Sequence, residues 1–117
     1  YATSPPAEVI FAKVKPKTAP TAAVTSTCFL QVELAGVLEG AKNPAGARAL
    51  VDFMLGGRFQ AALPESMFVL PVRAGTPLPE AFRHYAVSPA TPLQLPAAVI
   101  GRNRDRWIDE WTRVVLR

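Results

Sequence analysis

The chain has 117 residues, half of them hydrophobic and 19% charged, with a formal net charge of +4. That length allows one domain with a modest core, and the composition excludes a disordered chain. The basic balance does not mark a nucleic-acid binder. Lys13, Lys15 and Lys17 fall at a strand end and loop, and Arg102, Arg104, Arg106, Arg113 and Arg117 alternate with Asp105, Asp109 and Glu110, as on a solvated helix face.

In chain order, Tyr1-Ala2-Thr3-Ser4-Pro5-Pro6 reads as a polar turn and Glu8–Ala12 as a short strand. Pro16 and Pro20 make 15–21 a loop. Between Val24 and Leu34 the residues Cys28, Leu30, Val32 and Leu34 alternate with Phe29, Gln31 and Glu33, which predicts a strand with one wetter face. A helical turn over 35–40 follows, ending at Gly40.

Asn43-Pro44 is a strong helix start, with Asn as N-cap and Pro at the first helical position. Ala47, Leu50, Val51, Met54 and Leu55 form its apolar face, and Gly56-Gly57 ends it. A shorter helix over 58–63 should stop at Pro64, and Met67–Val72 has the length and apolarity of a strand. Residues 73–96 are a proline-punctuated connection with a short helix over 80–85. A long helix over 96–116 closes the chain, with Ile100, Trp107, Ile108, Trp111, Val114 and Val115 as its apolar stripe and Asp109 paired with Arg113.

Catalytic chemistry has little to work with. His84 is the single histidine and reads as a surface residue, no serine sits in a nucleophile elbow, and there is no phosphate-binding glycine loop. Asp52 and Glu65 are dispersed carboxylates, and no metal-ligand cluster is spaced along the chain. Cys28 has no partner for a disulfide and reads first as a small buried hydrophobe, with a functional thiol as the other option. No run approaches the roughly 18 apolar residues of a membrane helix. The absence of an export signal and of an initial Met leads us to expect a mature segment or a fragment. Tyr1, Phe29 and Phe68 lie beside turns or strands, where aromatic faces can meet flat or cationic ligands. Trp107 and Trp111 are expected in the core.

The order of motifs is more specific than any one of them. Tyr1-Ala2-Thr3-Ser4-Pro5 is followed by Phe29-Leu30-Gln31-Val32-Glu33, then by Asn43-Pro44 with Asp52-Phe53-Met54-Leu55, and by Phe59-Gln60. Met67-Phe68-Val69-Leu70-Pro71-Val72 and Arg104-Asp105-Arg106-Trp107-Ile108-Asp109-Glu110-Trp111 complete the series. This succession resembles the C-terminal third of thiamine-binding proteins of bacterial ABC importers, within the iron- and thiamine-type, type II periplasmic binding proteins.

The resemblance implies an α/β fold, part of a two-lobed binding protein. Residues 1–34 would hold hinge or crossing strands, 43–63 helices and 96–117 the C-terminal helix, all in a single unit. It implies a non-enzymatic subunit outside the cytoplasm that delivers thiamine to a membrane permease, with no resident cofactor. Tyr1 and Phe68 would hold the ligand rings, and Ser4 and Ser66 would supply hydrogen bonds. Ala7 stands where a second aromatic is sometimes found, which leaves room for a related small cation. Ferric iron fits less well, because Tyr1 stands alone where iron-binding members use paired tyrosines. Strands parted from their partners would leave open edges and favour a homodimer. A stand-alone α/β interaction module is the alternative reading.

Overall fold

A computed structural model of the chain describes residues 1–116. It is built from five α-helices and one 3₁₀ turn: α1 (Ser4–Phe11), the 3₁₀ turn (Thr25–Thr27), α2 (Pro44–Leu55), α3 (Gly57–Met67), α4 (Glu80–Tyr85) and α5 (Ala97–Val115). The expected α/β character is therefore corrected. Among the described residues the β-structure is a single parallel bridge between Phe29 and Leu93.

Each strand expectation fails for a local reason. Residues 8–11 lie in α1, because Pro5 and Pro6 occupy the first turn, where a missing N–H costs nothing and a fixed φ favours helix. Residues 28–34 are extended, but an extended segment becomes a strand only where a neighbour offers a ladder. Leu93 offers that ladder at one place: its N–H donates to Cys28 O at 2.8 Å, and Leu30 N–H donates to its carbonyl at 3.2 Å. Met67 belongs to α3, which runs through Pro64 instead of stopping before it, and residues 68–72 follow as an irregular segment. Pro64 is buried, so its packing offsets the helix bond it cannot make. The helical turn expected over 35–40 is a turn closed by Ala41 N–H to Leu38 O, with Gly40 at φ 74°.

The helix starts and stops read from Asn43, Pro44 and Gly56 are as expected. Asn43 Oδ1 accepts from Gly46 N–H at 2.9 Å, and Gly56 is the C-cap of α2. At the other end of α2 the last carbonyls are taken up from outside the helix. Gln60 Nε2 donates to Met54 O at 2.8 Å and Arg73 Nη1 to Leu55 O at 3.4 Å. Gln60 is only 4% exposed, and its Oε1 also accepts from Val72 N–H at 2.9 Å, so one side chain ties the α2–α3 corner to the segment after α3. Phe53 and Phe59 add an edge-to-face contact between α2 and α3, with centroids 5.5 Å apart.

The principal packing is α1 against α4 and α2 against α3. Phe82 of α4, 1% exposed, is the one fully enclosed large hydrophobe among the described residues, and Pro5 and Pro6 of α1 are buried with it. The chain's radius of gyration is 17.8 Å, where a self-contained domain of this length has about 13 Å. Its surface is 9428 Å², against roughly 6,200 Å² for a folded monomer of this mass. Trp111, expected in the core, is 54% exposed, and Trp107 is half-buried. The stripe on α5 does form, but no other described element packs extensively on it.

Candidate functional site

Tyr1 and Ser4 meet because the chain is already curling before the helix begins. Ser4 N–H donates to Tyr1 O at 3.1 Å, and α1 continues from that turn. A helix brings residues three and four apart onto one face. Tyr1, Ser4, Pro5 and Glu8 accordingly line a cleft of about 390 Å³, closed on the far side by Thr21–Val24 and Cys28. That volume is in the range of small-ligand sites, although this cleft is open to solvent and Tyr1 is 97% exposed.

The opposite wall is held in place by polar contacts. Thr21 Oγ1 donates to Glu8 Oε2 at 2.9 Å, and Cys28 Sγ donates to Val24 O at 3.2 Å. Cys28 is half-buried at the cleft wall, which corrects the expectation of a buried small hydrophobe. Farther along, Tyr85 OH reaches Lys17 O at 3.5 Å and Val87 N–H reaches Ala2 O at 3.4 Å, so α4 and its C-terminal extension brace both sides of this region.

The other two sequence-derived candidates lie elsewhere. Ser66 is exposed in the last turn of α3, and Phe68 is its C-cap, in the left-handed conformation at φ 57° and ψ 32°. For a non-glycine residue that backbone costs about 1 kcal/mol or more, which the surroundings must offset. Phe68 is 41% exposed and rests edge-on against Phe11, centroids 5.6 Å apart and planes at 79°. Tyr1 and Ser4 thus lie at the start of α1, and Phe68 touches its end. The seven steps from Ser4 to Phe11 rise roughly 10 Å. The structure brings Tyr1 and Ser4 together and leaves Phe68 and Ser66 outside their cleft. Glu8 and Thr21 are cleft residues that the sequence reading did not select.

For catalysis and metal binding the arrangement offers little. His84 is exposed and faces Glu80 at 3.8 Å. Among the described residues no group of three or more His, Cys, Asp or Glu side chains is placed to hold a metal ion. Among those residues, too, no helix is long and apolar enough to cross a membrane.

The comparisons with known proteins define first a class. The whole chain superposes on 36% of a solved periplasmic binding protein, with a TM-score of 0.75 and 33% sequence identity. That neighbour is a periplasmic thiamin binding protein, and the sequence relatives agree with it. The thiamine-binding periplasmic protein of Escherichia coli is 37% identical over 89 residues, 76% of this chain and 27% of the relative. That of Salmonella typhimurium is 34% identical over the full 117 residues, 35% of the relative, and that of Brucella suis is 36% identical over 91 residues. No protein-family model matches the chain. The chain is a partial homologue of the thiamine-binding periplasmic proteins, spanning about a third of their length. These relatives are binding proteins, not enzymes.

Proposed function

We propose that the chain is the C-terminal part of an extracytoplasmic solute-binding subunit that carries thiamine, or a related small organic cation, to the permease of an ABC importer. The observation that carries this reading is the likeness of the entire chain, in sequence and in structure, to thiamine-binding periplasmic proteins. The loose packing supports it. A chain whose described residues enclose one large hydrophobe, and whose surface is about half again that of a compact monomer, is suited to being covered by further protein. In this reading Tyr1 and Ser4 form one wall of the ligand cleft at the start of α1, and Phe68, with Ser66 in the turn before it, forms another at the far end of α1. The extended stretch between α1 and α2 serves as the hinge region within 1–34.

Aromatic rings suit this ligand because thiamine joins a flat aminopyrimidine to a thiazolium that carries a permanent positive charge. A pairing between two copies of the segment would use the extended run after Cys28, whose backbone is only partly bridged by Leu93. Calorimetric titration of thiamine into the intact protein and into the 117-residue chain tests the proposal. Tight binding by the intact protein and weak or no binding by the chain alone is the expected result. Absence of thiamine binding by the intact protein would overturn it.

A further inference from the structure

A chain with a net charge of +4 has a cleft whose single charged side chain is an acid. Tyr1, Ser4, Glu8 and Phe11 follow one another at steps of three, four and three, which sets them on one face of α1 and its leading turn. Glu8 sits midway in that stripe, between the Tyr1 end and the end where Phe11 meets Phe68. Its Oε2 is oriented by the Thr21 hydroxyl at 2.9 Å, a neutral donor that fixes the carboxylate without cancelling its charge.

One cation close to α1 in sequence is engaged elsewhere. Lys15 donates to the carbonyls of Val9 and Ile10 at the C-terminal end of α1. Among the described residues, ion pairs join Arg104 to Asp105 and Arg106 to Glu110 on α5, and His84 faces Glu80 on α4. None of these touches Glu8, and no Lys or Arg side chain lines the cleft.

We infer that Glu8, oriented by Thr21, is the counter-charge of the cleft: it selects a flat organic cation over a neutral ligand of the same shape. This rests on the binding-protein reading above and adds to it the residue that reads the ligand's charge. A carboxylate attracts the cationic ring directly, while Tyr1 offers the face of its own ring to the same charge.

The test is calorimetry on the intact protein and its Glu8→Gln and Thr21→Val variants, with two probes: thiamine, and the uncharged 4-amino-5-hydroxymethyl-2-methylpyrimidine. Glu8→Gln keeps side-chain size and helix preference and removes the charge. It should weaken thiamine binding by roughly two- to fivefold, the range for a solvated charge pair, and leave pyrimidine binding unchanged. Thr21→Val should weaken thiamine binding less, and in the same selective manner. A Glu8→Gln protein that binds thiamine as tightly as the parent overturns the inference and leaves the binding-protein reading standing. Equal losses for both probes overturn it as well, since they mean a change of shape. Failure of the parent to bind thiamine overturns the reading and the inference together.

Discussion

Phe11 and Phe68 meet edge to face, 5.6 Å between centroids, and so join the end of α1 to the end of α3. The contact matters because Phe68 holds a left-handed backbone that a phenylalanine does not prefer. Phe11→Ala should therefore lower stability by about 0.5 to 1.5 kcal/mol beyond the lost area, through the missing ring pair. In the intact protein it should also weaken thiamine binding, and a double-mutant cycle with Phe68→Leu should show the two changes to be non-additive. Denaturant melts and calorimetry on the four proteins measure both effects.

Gln60 makes a second kind of junction. Its carboxamide donates to Met54 O and accepts from Val72 N–H, so both ends are used. Gln60→Leu keeps bulk and leaves both backbone groups without that partner, which should cost about 1 to 3 kcal/mol. Urea denaturation followed by far-UV circular dichroism gives the number. A loss below about half a kcal/mol would mean that water replaces the side chain at both positions.

At the start of α2 the Asn43 side chain caps Gly46 N–H. Asn43→Ala should cost about 1 kcal/mol, whereas Asn43→Asp should retain the cap and be nearly neutral. Thermal melts of the two variants separate capping from any other role of this residue.

The exposed stripe of α5 gives a prediction for the chain taken alone. Ile100, Trp107, Ile108 and Trp111 line an apolar groove with only Arg104 as a charged member. The 117-residue chain should associate as its concentration rises, and Trp111→Ser should shift that association to higher concentration. Sedimentation velocity over a concentration series detects the change.

The helices with explicit punctuation were legible in the sequence: Asn43 and Pro44 before α2, Gly56 after it, Pro79 before α4 and Pro96 before α5. What misled was β-branched and aromatic content without a partner to pair with. Val9, Ile10 and Phe11 suit a strand, but strand preference depends on neighbours, and here Pro5 and Pro6 set a helix first. The candidate site followed the same error. Read as a turn with a strand starting at Glu8, the segment has no three- and four-residue period to set Glu8 on one face with Tyr1 and Ser4. Read as a helix from Ser4, it brings Glu8 beneath Tyr1, and the signal that would have shown it is the Ser4-Pro5-Pro6 start. Thr21 was out of reach, because its contact with Glu8 depends on how the Lys/Pro loop folds back over thirteen residues.

The extended run after Cys28 also bears on how the chain breaks. Proteases cut most readily where exposed backbone is free of regular structure, and 31–38 is exposed throughout. A nick there would separate α1 and the 3₁₀ turn from α2, α3, α4 and α5. Yet α1 is docked on α4, with Pro5 and Pro6 buried alongside Phe82 and Ala2 hydrogen-bonded to Val87. The two fragments would travel together through a sizing column and part only in denaturant, so a clipped chain would pass for a whole one until run on a denaturing gel.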